Sequence, residues 1–258
     1  MEQLETAIKA AKDASKIVMS YFGNTKYSLK DAGQFSTQLV TTADIEAEKS
    51  MFKNISNNFP THNFFGEESG FVDNKSEYTW VVDPISSTNN FVHNTPHFAV
   101  VVSLLRNNSP LLAVVLDSFY GEMFHAVKNK GAFLKNKKLK VSSVAELDKS
   151  IVTASWSKKN RELVETGISY SNALSRLATT RRIGSLALQL SWIGAGRLDA
   201  FIQNENDFFS LIAGSLIVAE AGGKVTDFRG GKYTKRSKNI IASNGKLHSR
   251  LIKFMAEI

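Results

Sequence analysis

The sequence predicts a layered α/β (α+β) fold in which helices alternate with more than one sheet. Three observations carry this reading. The block from Tyr78 to Val141 reads almost wholly as strands, and the second half of the chain alternates strand and helix. No repeat, low-complexity run or Pro/Gly linker separates the two halves. With 258 residues, 43% of them hydrophobic, the chain can bury a sizeable core. A single domain over 1–258 is expected, with subdomains of roughly 1–145 and 146–258.

The elements follow in order. Apolar residues at helical spacing predict a helix from Glu2 to Phe22, closed by Gly23, and a second from Ala43 to Phe59, closed by Pro60. Next come the strands YTWVVD, FAVVVSLLR, LLAVVLD and GEMFHAV, separated by turn residues such as NNSP and SFYG. The second half reads as strand IVTAS (Ile151 to Ser155), helix Lys159 to Leu177, strand TTRRIG, helix Ser185 to Ile193 and strand RLDAFIQ. A helix from Phe208 to Ala221 stops at Gly222-Gly223. Strands KVTDF and NIIAS and a last helix, Gly245 to Ala256, complete the chain.

Composition excludes several classes of function. With no cysteine there is no disulfide frame, no Cys-zinc site and no thiol nucleophile. No apolar run approaches membrane-spanning length, and the N-terminus is acidic and amphipathic, so a cytoplasmic protein without membrane contact is expected. The net charge of +8 favours anionic partners, RNA included. The lysines of Lys128 to Lys140 and of RGGKYTKRSK lack interleaved stacking aromatics, however, and read first as solvated turns. Neither G-x-S-x-G nor H-E-x-x-H occurs, and the histidines (His62, His93, His97, His125, His248) are scattered and read as structural.

Three segments carry candidate chemistry: FFGEESG with Glu67 and Glu68, WVVDPISSTNNF with Asp83, and FFSLIAGSLIVAEAGGKVTDF with Glu220. Singly, each has an ordinary reading as a surface turn, a strand-to-turn device or a helix stop. Their order and spacing resemble the inositol monophosphatase family of Mg²⁺-dependent phosphatases, including its SuhB-like bacterial members. LVTTADIEAEKSM is similar to that family's V-T-x-A-D-x-x-x-E helix, PHFAVVVSLL and KGAFLKNKKLKVS to its central strands and hairpin, and RRIGSLALQLSWIGAGRLDAF to its G-S-A-A-L segment.

The resemblance implies a layered αβαβα sandwich of the inositol monophosphatase and sugar phosphatase type, hydrolysis of small phosphomonoesters, a homodimer, and Mg²⁺ held by carboxylates. One ion would sit on Glu67, Asp83 and the carbonyl of Ile85. A second would share Asp83 with two further aspartates from D-P-[IL]-D-G-T and W-D-x-A-A-G. Here those two positions are Ser86 and Ser210, and the glycine of the first motif is Ser87. A neutral hydroxyl is a poor substitute for a carboxylate at Mg²⁺, so at most one well-held ion is expected. A register slip that enlists Asp207 would move the carboxylate roughly 300° around a helix and about 4.5 Å along it, so Asn206 or Asp207 reads instead as the helix cap.

Asp44 and Thr88 match the pair that, with Glu67, activates water in the family. Backbone N–H groups of Ser87 and Thr88 match its phosphate seat. The substrate pocket would include Gly184, Ser185, Leu186 and Gln203, where Leu186 replaces a small alanine and Gln203 a glutamate that contacts substrate hydroxyls. These changes converge on one centre while the scaffold motifs persist. The expectation is therefore a family member with a degenerate metal site, weak or inactive as a phosphatase and retained for binding. Two alternatives stand beside it: an active Mg²⁺-dependent phosphatase of inositol or another small phosphomonoester, and an RNA- or transcription-associated factor of the SuhB type.

Overall fold

The computed structural model describes residues 2–31, 37–156 and 159–257. Helices α1 (Glu2–Tyr21) and α2 (Thr42–Asn58) flank a hairpin of β1 (Tyr27–Asp31) and β2 (Thr37–Thr41). An eight-stranded sheet follows, formed by β3 (Asn63–Gly66), β4 (Gly70–Val72), β5 (Tyr78–Ser86), β6 (Ala99–Arg106), β7 (Ser109–Asp117), β8 (Glu122–Val127), β9 (Gly131–Leu134) and β10 (Lys137–Lys138). Its order is β10-β9-β8-β7-β6-β5-β3-β4, antiparallel except for the parallel pair β3 and β5. A short helix, α3 (Thr88–Val92), leaves the end of β5.

The second sheet has the order β12-β11-β13-β15-β14. Its strands are β11 (Ile151–Ser155), β12 (Thr179–Arg181), β13 (Ala200–Gln203), β14 (Lys224–Thr226) and β15 (Ile240–Ser243). The helices of this half are α4 (Arg161–Ser175), α5 (Leu186–Gly194), α6 (Phe208–Glu220) and α7 (His248–Ala256).

Five layers result, the αβαβα order that the family resemblance implies. Helices α1 and α2 cover one face of the large sheet, where Ala7, Ala10, Ala11, Ala14 and Val18 recur on one side of α1 and meet Ala43, Ala47 and Met51. On the opposite face α5 and α6 pack through Ala187, Leu188, Ala213 and Ile217 onto Val101, Val115 and Phe124. The other sides of these two helices, through Leu190, Leu211 and Val218, cover Phe201, Ile240 and Ala242 of the smaller sheet. Being enclosed between two sheets, α5 and α6 are apolar nearly all round. Helices α4 and α7 close the outer face around Tyr170, Leu174 and Leu251.

The hairpin β1–β2 escaped the sequence reading, since its exposed Tyr27 and Leu29 alternate with polar residues and face no core. The last helix starts at His248 rather than Gly245. Asn244 Oδ1 accepts from the N–H groups of Lys246 and Leu247, which forms a side-chain turn ahead of the helix. The strand expected over 197–203 begins only at Ala200, because the N–H groups of Arg197 and Leu198 fold back onto the carbonyl of Trp192. Among the histidines, His248 is enclosed with its ring nitrogens 2.9 Å from Ser243 Oγ and Thr226 Oγ1, and burial lowers its pKa to about 4.

Candidate active site

The site begins with register. Gly66 pairs with Val82 across the parallel strands β3 and β5, so the next residues, Glu67 and Asp83, emerge side by side, each carboxyl group close enough to act on the other. Glu48 on α2 fixes the turn that carries Glu67. Its carboxylate accepts from the N–H groups of Glu68 (2.8 Å) and Ser69 (2.7 Å). That approach requires glycine at position 66, where a Cβ would lie 2.5 Å from the Glu48 carboxyl group.

One turn before Glu48, Asp44 closes a capping box with Thr41. Asp44 Oδ2 accepts from Thr41 N at 2.7 Å and from Thr41 Oγ1 at 2.6 Å. Its other oxygen, Oδ1, faces Thr88 Oγ1 at 3.4 Å, and Thr88 Oγ1 is 3.3 Å from the Ile85 carbonyl. Glu67, Asp83, Asp44, Thr88 and Ile85 are thus gathered in one place.

Pairing of β5 with β6 shifts between Asp83 and Ser86, at Pro84, which cannot donate to the ladder. The strand turns there and presents Ser86 to two other elements. Ser86 Oγ lies 3.1 Å from Ser185 Oγ at the N-cap of α5 and 3.3 Å from Ser210 Oγ in the first turn of α6. Ser210 Oγ donates to Asp83 Oδ2 at 2.7 Å. Three hydroxyls from three elements thus form a hydrogen-bonded chain that ends on the carboxylate.

Ser87, the N-cap of α3, has φ of +84° and makes no side-chain cap bond. Gly184 has φ of +102°, and a Cβ there would meet Asn90 Nδ2 at 2.6 Å and Ser87 Oγ at 3.0 Å. Glycine therefore lets the segment ahead of Ser185 approach α3. Leu186 is half-buried against the α5/α6 core, and Gln203 ends β13 with its Oε1 buried and unpartnered.

Asp207 caps α6 by accepting from Ser210 N, as the sequence predicts. The rotational argument that places it away from the carboxylates does not hold, because a cap residue lies outside the helix and its side chain folds back over the first turn. Asp207 contacts Ser210, the residue whose hydroxyl binds Asp83, and its charge acts on both Glu67 and Asp83.

Burial, followed by repulsion from Asp83, holds the Glu67 carboxyl well above its ordinary range. Burial, followed by the Asp207 charge, raises Asp83 to about 7. Asp83 Oδ1 is also buried without a partner. A carboxyl whose folded pKa is raised is neutral in both states below its unfolded value near 4. It penalises the folded state progressively as pH rises from there to its folded value. In chelator, Asp83→Asn is therefore expected to stabilise the protein by a few kcal/mol at about pH 8, with the advantage vanishing near about pH 4. Thermal melts across that range test this. An Asn variant less stable than wild type at the alkaline end would contradict it.

Two residues contribute in ways the sequence reading did not assign. Glu48 entered it only as the last residue of the V-T-x-A-D-x-x-x-E helix, and it lies one turn after Asp44 on the same face of α2. Asp207 was visible as a cap but not as a neighbour of the carboxylates. Among the described residues, no three His, Cys, Asp or Glu side chains are spaced to hold a metal ion by themselves, and no helix is long and apolar enough to cross a membrane.

The profile described as "Inositol monophosphatase family" matches residues 1–258. Inositol monophosphatase 1 of Solanum lycopersicum is 34% identical over 98% of this chain and 94% of its own. Nus factor SuhB of Escherichia coli is 32% identical over 98% and 96%. Among solved structures, the extragenic suppressor protein SuhB of Bartonella henselae superposes with a TM-score of 0.93 at 30% identity, covering 99% of this chain and 98% of its own. The inositol monophosphatase of Thermotoga maritima gives 0.90 at 31%, covering 100% and 98%. Site motifs, layer order and relatives converge, and the chain belongs to the inositol monophosphatase family.

Proposed function

We propose that this family member holds at most one Mg²⁺ well, is weak or inactive as a phosphomonoesterase, and serves by binding a small phosphorylated ligand. The observation that carries this reading is the hydroxyl chain Ser185, Ser86, Ser210, with Ser210 Oγ 2.7 Å from Asp83 Oδ2. It engages one oxygen of Asp83 and supplies no charge with which a second ion could be held. Glu67, the unpartnered Oδ1 of Asp83 and the Ile85 carbonyl fit one hard cation. When bound, such an ion neutralises phosphate charge and acidifies water.

The chain's own residues perform the remaining tasks. Glu48 holds the Glu67 turn, Asp44 orients the Thr88 hydroxyl, and the backbone N–H groups of Ser87 and Thr88 meet a phosphate oxygen. Leu186 narrows the substrate side. Gln203 offers a neutral amide where relatives of the family pattern carry a carboxylate. The reading includes one domain over 1–258, a homodimer and a cytoplasmic location. Titration calorimetry with Mg²⁺ is expected to show weak binding of about one ion. Two or more tight sites would sink the proposal.

A second reading, association with RNA or transcription proteins, is favoured by the relatives named Nus factor SuhB together with a sequence pI near 9.5. Salt-sensitive retention on RNA, unaffected by Asp83→Asn, separates it from the first.

A further inference from the structure

The two lysine clusters of the sequence differ once folded. Lys137 and Lys138 lie on the edge strand β10, whereas the segment 229–238 is drawn against a set of phenylalanines from distant parts of the chain. Asn206, two residues before α6, anchors that segment. Its Nδ2 donates to the carbonyls of Thr234 (3.2 Å) and Lys235 (2.9 Å), and its Oδ1 accepts from the Tyr233 hydroxyl. Ser237 N donates to Thr234 O at 3.0 Å, which closes a turn with Lys235 and Arg236 at its centre.

The phenylalanine rings come from three elements. Phe65 of β3 lies 5.7 Å from Phe71 of β4 and 4.6 Å from Phe209 of α6. Lys235 Nζ stands 4.7 Å from the Phe65 ring and 5.2 Å from that of Phe208, so two rings fix the position of one ammonium group. Phe71 is 53% exposed on the edge of the large sheet. One side chain, Phe65, thus joins an open ring to a positioned cation. Two acids of these segments are occupied, since Glu205 pairs with Lys159 and Asp227 accepts from Arg229 N and Gly231 N. Lys235, Arg236 and Lys238 form no ion pair with any described residue.

An open ring beside unpaired cations matches a nucleotide, which joins a flat base to a phosphate. The ring stacks on any base, and the cations follow the backbone. An added peptide strand fits less well, because β4 offers only three residues to pair with. A duplex keeps its bases stacked on one another and leaves Phe71 nothing to receive. We propose that Phe71, Lys235 and Arg236 form a binding surface for a single-stranded nucleic acid, a base stacking on Phe71 and its phosphates meeting the two cations. The inference gives a surface to the second reading above and rests on that reading.

The test is fluorescence anisotropy of a labelled oligouridylate of about ten nucleotides titrated with the full chain. Micromolar binding that weakens with salt is expected. Phe71→Ala is expected to weaken it about tenfold with the salt slope unchanged, and Phe71→Trp to keep it, since only the stacking face differs. Lys235→Gln with Arg236→Gln is expected to lower the salt slope by about 1.4, the loss of two single-strand phosphate contacts. All three side chains are exposed, so the variants should melt with wild type. Wild-type binding that none of these variants changes would overturn the surface and leave the second reading standing. The absence of any salt-sensitive binding would overturn both. Competition by duplex RNA or by poly-L-glutamate as strong as that by unlabelled oligouridylate would overturn the assignment to single strands.

Discussion

Ser86→Asp with Ser210→Asp, together with Ser87→Gly, is expected to raise Mg²⁺-dependent hydrolysis of a small phosphomonoester by about a thousandfold or more. The two serines lie 3.3 Å apart and Ser210 already touches Asp83, so aspartates there would converge on one point with Asp83. Lewis-acid stabilisation of a leaving oxygen contributes several kcal/mol, and each ~1.4 kcal/mol is a factor of ten in rate. Either aspartate alone should do little, because two ligands acting on one ion are not additive. Ser87→Gly relaxes a residue at φ +84°, where a side chain costs about 1 kcal/mol. In chelator the triple variant should melt below wild type, since it gathers unneutralised carboxylates, and Mg²⁺ should restore it. Inositol phosphate is expected to remain a poor substrate until Leu186→Ala and Gln203→Glu are added. Phosphate release with and without chelator decides the matter. If the unmodified chain already turns over at the rate of the triple variant, Ser86 belongs to a working site.

Glu48→Ala is expected to cost about 3–5 kcal/mol and, at this chain length, to lower the melting temperature by about 10 °C. The buried carboxylate satisfies two backbone donors, and its loss leaves both unpaired beside Glu67. Divalent-ion binding should weaken in parallel, because the turn that aims Glu67 loses its anchor. Gly66→Ala alone should also destabilise, as its methyl group collides with Glu48. Combined with Glu48→Ala it should cost less than the sum, because the collision is gone. A Glu48→Ala protein melting within about 2 °C of wild type would refute this account.

Much of this architecture was legible in the chain. Enclosure on both faces makes β5 a continuous apolar run, and the proline after Asp83 marks where its pairing breaks. Ser86 and Ser210 could be related only through family spacing, because no local pattern links residues more than a hundred positions apart. Their contact depends on α6 docking across the end of β5. Asp207 illustrates a different limit. Helical rotation predicts directions only for residues inside the helix, and the cap residue obeys its own geometry.

The placement of α5 and α6 between the two sheets sets an order on synthesis. Val101, Ala113, Val115 and Phe124 form an apolar sheet face completed only by Ala187, Leu188, Ala213 and Ile217, residues translated long after them. A ribosome that has released the first half of the chain has made a sheet with one uncovered side, and contacts of such long sequence separation form slowly. That face stays uncovered until α6 arrives, and the hydroxyl of Ser210 is among the last groups to reach the site it completes.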